Sequence, residues 1–316
     1  MLKKALLAAA CAAALPAFAA YPERPIQIIV PYSPGGGSDL ALRLFGETMK
    51  KHYPGTNVVI RNQPGGGGSI GTSAAISARP DGYTLGTGAQ GPLVIKPLIG
   101  GTDYRHDSPA YIGLFARSLQ VLAACKDAPF KTYDEFIAYA KDKPVQVANS
   151  GAGGANHISA EAFALAAGIK IDSVPFDGAA DARTACIGGH VQTLVASPAE
   201  VKSAAEAGQM QPLFVMEAER IADFPDVPTA VEKGVDFTWS SWKGIIAPQK
   251  LPPDTVAWLE KAVETVANDA DFKAKMTEMG DFPTYENAAD FKARVDKDEQ
   301  TTRAVLEKLG MLNMNN

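Results

Sequence analysis

Two glycine-rich segments carry the residue types that could bind an anion. VPYSPGGGSD at residues 30–39 and NSGAGGANH at residues 149–157 each join an apolar run to a run with helical periodicity. Backbone N–H groups at a helix start carry partial positive charge, and glycine lets a small anion approach them without a Cβ in the way. Both segments are therefore predicted to be strand-to-helix loops that hold an anion.

The absence of lysine from these segments narrows the choice of anion. A phosphate-binding P-loop has the pattern Gly-x-x-x-x-Gly-Lys-Ser/Thr, because the lysine neutralises phosphate charge and the hydroxyl holds magnesium. Neither segment contains that lysine, so nucleotide binding is not expected. The anion that remains is a carboxylate, which two amide-lined loops facing across a cleft could hold without a buried lysine.

A third glycine-rich segment, PGGGGSIGTS at residues 64–73, fits two catalytic or cofactor patterns. It matches the dinucleotide fingerprint G-x-G-x-x-G, and GGSIG at residues 67–71 matches the G-x-S-x-G nucleophile elbow. Four consecutive glycines satisfy both patterns easily. The apolar strand expected directly before an elbow is also separated from it by residues 62–64. A turn that leads into a helix is the favoured interpretation.

A serine hydrolase remains the alternative from another functional class. The chain order Ser69, Asp177, His190 is compatible with an α/β-hydrolase triad, although His190 follows Asp177 closely. No HExxH sequence, CxxC pair or clustered metal-ligand spacing is present, so neither a metal nor a cofactor is expected. The favoured expectation is a binding protein without enzymatic activity.

The N-terminus predicts export. Lys3 and Lys4 precede a run of small and apolar residues that ends in Ala17-Phe18-Ala19, an A-x-A cleavage pattern. Residues 1–19 are therefore predicted to be a signal peptide that is removed, which leaves a periplasmic protein. Lipidation at Cys11 is not expected because no leucine stands three residues before it.

Composition excludes several partners and suggests two domains. The formal net charge is −5, which argues against binding to nucleic acid or to an anionic membrane. A mature chain of about 300 residues exceeds the size at which one core keeps growing, so two domains are expected, in a monomer. Cys125 and Cys186 could pair in an oxidising compartment, but free, buried thiols are the favoured expectation.

Short apolar runs alternate with helical patterns along the chain, which predicts an α/β protein with mostly parallel sheets flanked by helices. Ligands of such sheets bind beyond the carboxyl ends of the strands. The tail after Pro253 is predicted to be nearly all helical. The predicted strands are residues 26–30, 57–61, 83–88, 121–125, 145–150, 191–196 and 211–216.

Eight motifs in one order suggest a family: SPGGGSDLALRL, NQPGGGGSIG, ARPDGYTL, SGAGGANH, VPFDGAADA, GGHV, FPDVPTAVEKGVDF and SWKGIIAP. With them the chain resembles the extracytoplasmic solute receptors of the tripartite tricarboxylate transporter family, also called Bug receptors. GGHV and SWKGIIAP are most similar to the tricarboxylate-receptor branch. The resemblance implies a two-lobed, type II-like Venus flytrap that delivers a small di- or tricarboxylate, with a citrate-like acid among the candidates, to a membrane permease. A receptor that presents its ligand to a sensor kinase is the further alternative.

The resemblance also implies where the ligand binds and where the lobes divide. Residues 20–121 with 243–316 are expected to form lobe 1, and residues 122–242 lobe 2. Asp39 is expected to serve the helix rather than the ligand, because its charge would repel a carboxylate. The implied ligand-binding residues are Ser33, Gly35, Gly36, Gly37, Ser38, Thr87, Gly88, Ala89, Gln90, Ser150, Gly151, Gly153, Gly154, His157, Asp177, Gly178 and Ser197.

Some residues depart from the family pattern. Gly154 and Ala155 replace hydroxyl residues near the second loop, and Gln192 replaces an aspartate that often follows GG-x-V. The loss of that negative charge is expected to favour a more anionic ligand. Binding is expected to depend on backbone geometry at Gly36 and Gly153, and Lys243 is expected to be a peripheral charge of little consequence.

Overall fold

Two β-sheets organise the chain, one in each lobe, and helices flank both. The computed structural model describes residues 21–176 and 179–313, so the predicted signal peptide and the predicted site residues Asp177 and Gly178 lie outside the described residues. The two-lobed α/β architecture confirms the predicted fold class. No helix within the described ranges is both long and apolar enough to cross a bilayer.

The described residues form eleven strands and ten α-helices. The strands are β1 (Ile26–Val30), β2 (Val58–Asn62), β3 (Thr84–Ala89), β4 (Ala110–Ser118), β5 (Val121–Cys125), β6 (Val145–Asn149), β7 (Ile171–Pro175), β8 (Thr193–Ala196), β9 (Met210–Val215), β10 (Ser241–Ala247) and β11 (Phe282–Asn287). The helices are α1 (Gly37–His52), α2 (Ser69–Ile76), α3 (Lys96–Ile99), α4 (Tyr133–Asp142), α5 (Ala155–Ala167), α6 (Ala179–Ile187), α7 (Pro198–Glu206), α8 (Pro253–Asn268), α9 (Ala270–Glu278) and α10 (Ala288–Lys308).

The sheets are mixed, but most strands within each run in one direction. The first sheet has the order β11-β4-β10-β3-β1-β2, and only β10 and β11 are reversed. The second has the order β7-β6-β8-β5-β9, and only β5 is reversed. The reversed strands β5 and β10 are the first strands that the chain forms after each crossing between sheets.

Two residues connect the sheets on the outward crossing. Leu119 and Gln120 separate β4 from β5. So short a link requires the carboxyl end of β4 to adjoin the beginning of β5, which is also the edge where β6 and β8 end. The strand ends that precede α1 and α5 therefore line edges that face each other. The exact division into the two predicted lobes stays a prediction.

Glycines allow the last helix to pack against the first sheet. A Cβ on Gly244 in β10 would lie 2.5 Å from Cε1 of Phe291 in α10, and a Cβ on Gly88 in β3 would lie 3.0 Å from its Cζ. Contacts below 3.0 Å do not occur at real Cβ atoms, so β10 needs glycine at position 244, and a side chain at Gly88 would require the Phe291 ring to shift slightly. The buried Phe291 ring thereby fastens the C-terminal helix to the strands that adjoin the cleft.

The two cysteines of lobe 2 form a disulfide, and the expectation of free thiols is wrong. Cys125 at the end of β5 and Cys186 in α6 have Cα atoms 5.2 Å apart and joined sulfur atoms. Both residues are fully buried. The sequence placed one cysteine on a strand and one on a helix, and only their packing brought the sulfur atoms together. The bond lies at the edge of the second sheet that faces away from the cleft.

The expectation that Lys243 is peripheral is also wrong. Lys243 in β10 is only 7% exposed, and its Nζ lies 2.6 Å from Oδ1 of Asp281, which is 9% exposed. Ser118, the last residue of β4, donates its hydroxyl to the same carboxylate oxygen at 2.6 Å and also accepts a hydrogen bond from Lys243. These three residues join the ends of β4, β10 and β11 at the edge of the first sheet that adjoins the cleft.

Candidate functional site

The loop after β1 presents an uncapped helix start. Gly35 has a positive φ of 81°, and Gly36 is the N-cap of α1 with φ −78° and ψ 164°. No described side chain caps this helix, so Ser38 lies inside the first turn rather than at the cap position. The first N–H groups of a helix have no partner within the helix. Ser33 and Gly35 to Gly37 are exposed on this loop.

The Asp39 carboxylate accepts hydrogen bonds that fix the conformation of this loop. Its Oδ2 accepts from the Gly35 N–H at 2.8 Å and from Arg43 Nε at 3.0 Å, and its Oδ1 accepts from Asn62 Nδ2 at 2.9 Å. Burial alone would raise the pKa of Asp39, but hydrogen bonds from Arg43, Gly35 and Asn62 outweigh it and hold the pKa below its usual value. The carboxylate is therefore ionised and occupied by the loop and by Arg43, as the expectation of a structural role required.

The loop after β6 has the same backbone design. Gly153 has a φ of 72°, and Gly154 is the N-cap of α5 with φ −79° and ψ 168°. The Gly153 N–H donates to Nδ1 of His157 at 2.9 Å, just as Gly35 donates to Asp39. No described side chain caps α5 either. Each loop thus leaves a free helix start beside a glycine whose own N–H is anchored four residues ahead.

His157 is a neutral anchor in this arrangement. Because Nδ1 accepts a hydrogen bond from Gly153, the ring proton lies on Nε2, which faces Oε1 of Glu161 at 3.8 Å. Burial lowers the pKa of His157, which favours the neutral ring. The ring is largely buried, and its described polar contacts are with Gly153 in its own loop and Glu161 in its own helix. The sequence predicted His157 as a site residue, and in the structure its Nδ1 is occupied by the Gly153 N–H.

Side-chain contacts connect the second loop to lobe 1 and to the crossing. A Cβ on Gly153 would lie 2.8 Å from Cδ1 of Ile99 in α3. Gln120 in the crossing donates to Oδ1 of Asn156 at 2.9 Å, and Asn156 donates to the Val195 carbonyl at 3.1 Å. The start of α5 is therefore held against lobe 1 in this structure. In the same loop, the Gly151 N–H donates to Asn149 at 3.1 Å.

The predicted residues at the end of β3 serve mainly in packing. Thr87 donates its hydroxyl to the Ile29 carbonyl at 2.9 Å, and Gly88 makes room for Phe291. Ala89 is buried beside Lys243 in the sheet register. Gln90 is different, because its buried Oε1 has no hydrogen-bond partner among the described residues. Of these four positions, Gln90 has the polar atom best placed to take a new partner.

Gln90 lines a cavity of about 1120 Å³ that both lobes share. The wall contributed by lobe 2 includes Leu165 of α5, and the wall contributed by lobe 1 includes Arg294 of α10. Trp239 also lines it, and its buried Nε1 has no partner in the described part of the chain. No sequence pattern predicted this cavity, because its walls come from segments that are distant in the chain.

Two other predicted residues have their side chains already engaged. Ser197 is the N-cap of α7 in a capping box, where it accepts from the Glu200 N–H and donates to Oε2 of Glu200 at 2.8 Å. Ser69 begins α2 and donates its hydroxyl to the Gly66 carbonyl at 3.0 Å. In a serine hydrolase, the serine hydroxyl would instead donate to a histidine. The turn interpretation of residues 64–73 agrees with this geometry.

Gln192 lies at the edge of the second sheet opposite to the predicted ligand loops. It directly precedes β8, whereas the predicted ligand loops follow the ends of the parallel strands. Its Oε1 accepts from the Gln146 N–H at 3.0 Å, and its Nε2 donates to the Tyr139 hydroxyl at 3.2 Å. The Gln192 amide therefore joins elements at the far edge of the second sheet, and its expected effect on ligand charge stays a prediction.

Gly36 is not the glycine of its loop that requires a positive φ. Gly36 has a negative φ, and a Cβ there would lie 3.6 Å from the Ser33 carbonyl oxygen, which is an ordinary contact. The equivalent positions in the two loops are Gly35 and Gly153, and both have a positive φ. Residues other than glycine rarely adopt a positive φ. A signal for this equivalence was present in the sequence, since GGGSD and GGANH share two glycines followed three residues later by a polar anchor.

Comparison with known proteins decides the family. The chain matches the sequence profile of the tripartite tricarboxylate transporter family receptor over residues 42–311. The protein belongs to this receptor family. It is 30% identical over 307 residues to a Cupriavidus necator protein, the UPF0065 protein in gbd 5'region, and the match covers 95% of this chain and 92% of that protein. The family inferred from the motifs is confirmed.

Solved structures of similar receptors show the same fold. An R. palustris protein solved with adipate is 27% identical, with a TM-score of 0.83, over 92% of this chain and 99% of that chain. MatC from Rhodopseudomonas palustris with bound malate is 26% identical, with a TM-score of 0.78, over 90% of this chain and 100% of that chain. A third similar structure, at 28% identity and a TM-score of 0.81 over 92% of this chain and 99% of that chain, is the periplasmic binding protein BugD.

Proposed function

We propose that this receptor captures a small di- or tricarboxylate between its lobes and delivers it to a tripartite tricarboxylate transporter permease. The observation that carries the proposal is the pair of equivalent loops at Gly35–Gly37 and Gly153–Ala155, each an uncapped helix start at the edge of its sheet. One ligand carboxylate accepts N–H groups from both loops. Ser33, Ser38, Ser150 and Gln90 then contact the rest of the ligand.

Backbone amides provide the charge complement in this proposal. Neither loop contains lysine or arginine, and Arg43 is occupied by Asp39. Hydrogen bonds to a charged group contribute about 1.5 to 3 kcal/mol each, so three of them supply about 4.5 to 9 kcal/mol of the roughly 8.2 kcal/mol that micromolar capture requires, and packing supplies the remainder. Adipate and malate, which the similar receptors bind, both carry two carboxylates. A dicarboxylate is therefore the first class to test here.

The cellular part of the proposal follows from the family. The chain is exported with the predicted signal peptide at residues 1–19, which is then removed, and it acts in the periplasm as a monomer. It performs no catalysis, because its task is to hold the ligand unchanged until the permease receives it. Asp177, Gly178 and Ser197 remain proposed ligand contacts from lobe 2.

A thermal-shift assay tests the ligand class. Adipate, malate and citrate are each titrated against the purified receptor, with dimethyl adipate as an uncharged control. A ligand that binds only the folded state adds RT ln(1 + [L]/Kd) to stability, about 2.7 kcal/mol at 100 times Kd. At least one acid should raise the melting temperature while the diester does not. No shift with any of the three acids would refute carboxylate capture.

Two glycine-to-alanine variants test whether the loop after β1 binds the ligand. Gly35→Ala and Gly168→Ala both place a side chain at a positive φ, and neither new Cβ has an atom within 4 Å. Gly35 lies in the proposed cradle, whereas Gly168 is the C-cap at the other end of α5. Both variants should lose similar stability, but only Gly35→Ala should weaken binding of the best acid, by at least about tenfold. Equal affinities for the two variants would exclude the loop as the site.

A further inference from the structure

The two proposed carboxylate loops are copies of one backbone motif with different anchors. Gly35 and Gly153 both have positive φ, and the N-cap residues that follow them agree within a few degrees in φ and ψ. The first helical bond is the same, since the Leu40 N–H donates to Gly36 and the Ile158 N–H donates to Gly154, both at 3.0 Å. In both, the positive-φ glycine donates to the side chain four residues later.

This last hydrogen bond fixes the direction of the amides that follow it. The φ and ψ dihedrals of each positive-φ glycine rotate easily, because glycine has no Cβ. Without an anchor, the peptide groups that follow the glycine could therefore turn away from the cleft. A bond of 2.8 Å to Asp39 or 2.9 Å to His157 removes that freedom before a ligand arrives. Preorganised donors bind more tightly because the ordering cost is already met in the free protein.

The two anchor residues differ in charge, but each supplies a hydrogen-bond acceptor for the N–H of its glycine. Asp39 is a carboxylate whose charge is balanced by Arg43, and it has four donors directed at its two oxygens. His157 supplies an uncharged nitrogen, so lobe 2 gains an anchor without placing an anion behind its cradle. Neither anchor therefore presents an unbalanced negative charge to a bound carboxylate.

We infer that Asp39 and His157 are positioning residues for ligand capture, which act by anchoring Gly35 and Gly153 and do not contact the ligand. This inference rests on the proposed function, because it assigns a role within the same two loops. It also separates these residues from the rest of the implied site. For His157 the role depends on one acceptor atom, Nδ1, which makes it testable by substitution.

Asparagine distinguishes an anchor from a ligand contact at position 157. Its side-chain oxygen can occupy the place of Nδ1 and accept the Gly153 N–H, whereas phenylalanine retains ring volume but offers no acceptor. His157→Asn should bind the best of adipate, malate and citrate within about threefold of wild type. His157→Phe should bind it at least about tenfold more weakly, the equivalent of one charge-assisted hydrogen bond.

Two further variants complete the calorimetric titration. His157→Ala should match His157→Phe, which covers the case that the phenylalanine variant does not fold. His190→Phe makes the same chemical change at an exposed position on the far edge of the sheet and should bind as wild type does. Amide hydrogen exchange in the ligand-free proteins should be faster across residues 153–155 in the alanine and phenylalanine variants, and unchanged in the asparagine variant.

The outcomes separate this inference from the proposed function. If wild type binds none of the three acids, the proposed function is overturned and the inference with it. If wild type binds but the folded phenylalanine or alanine variant binds equally well, only the anchoring role is overturned. If asparagine is as damaging as phenylalanine while exchange at residues 153–155 is unchanged in both, His157 contacts the ligand directly and the inference is again wrong.

Discussion

The buried ion pair between Lys243 and Asp281 should contribute strongly to stability. Both side chains are less than one-tenth exposed, and their charged atoms are 2.6 Å apart. Lys243→Met keeps the length of the side-chain stem but leaves the Asp281 carboxylate with Ser118 as its remaining described donor. Breaking one side of a buried pair typically costs about 3 to 5 kcal/mol, because the other charge stays buried without its partner.

That cost predicts a measurable shift in melting temperature. The entropy of unfolding is about 2.1 cal/mol/K per residue, or roughly 0.6 kcal/mol/K for a chain of this size, so Lys243→Met should melt about 5 to 8 °C below wild type. Calorimetry measures this directly. The double variant Lys243→Met with Asp281→Leu removes both charges and should recover a good part of the loss, because neither charge is then left unpaired.

An exposed ion pair provides the matched control. Lys261 lies 2.8 Å from Glu264 in α8, but its side chain is 69% exposed. Lys261→Met should therefore leave the melting temperature nearly unchanged. If Lys243→Met costs no more than Lys261→Met, or if the double variant is less stable than either single variant, the pair does not behave as a buried one and the reasoning is refuted.

Three other predictions concern stability and lobe contact. Hydrogen bonds from Lys51 and His52 hold the pKa of Asp269 well below its usual value; its contribution is therefore full above about pH 4 and lost as pH falls. Asp269→Asn can still cap α9 but should lose about 1.5 to 3 kcal/mol at pH 7 and a smaller amount at pH 3 in urea unfolding, because the contribution is lost only as pH falls toward the lowered pKa, and an equal loss at both pH values would contradict this. Replacing Cys125 and Cys186 together by alanine should cost about 4 kcal/mol in the chain-entropy estimate, since the bond spans 61 residues; alkylation of unreduced wild type should label neither, and two labelled cysteines would disprove the bond. Gly280→Ala would place a Cβ 2.6 Å from that of Ala199, at a φ of 80°, and should widen the lobe arrangement in solution scattering, whereas a curve identical to wild type would argue against this contact.

Features that depend on a few neighbouring residues could be read from the sequence. The glycine loops, the starts of α1 and α5 and most strands of the second sheet follow from local rules, because positive φ, helix capping and apolar alternation act over short distances. The capping box formed by Thr132 and Glu135 at the start of α4 is one example. Eight motifs then identified the family before any contact was known.

Features that require distant segments to meet were decided by the tertiary structure. The strands β4, β7, β10 and β11 were not predicted, and β11 lies within the tail that was expected to be nearly all helical. β10 and β11 pair only after the chain has crossed to lobe 2 and returned, so no local pattern defines their neighbours.

The same reason explains the individual residues that the sequence misjudged. Cys125 meets Cys186 across 61 residues, and Lys243 is buried because Asp281 and Ser118 converge on it from two other strands. Composition indicates that a charge or a thiol exists, but burial and partners depend on which surfaces pack together. The sequence by itself determined the family, the fold class and the two glycine loops, and tertiary packing alone decided which side chains anchor those loops and which charges lie inside.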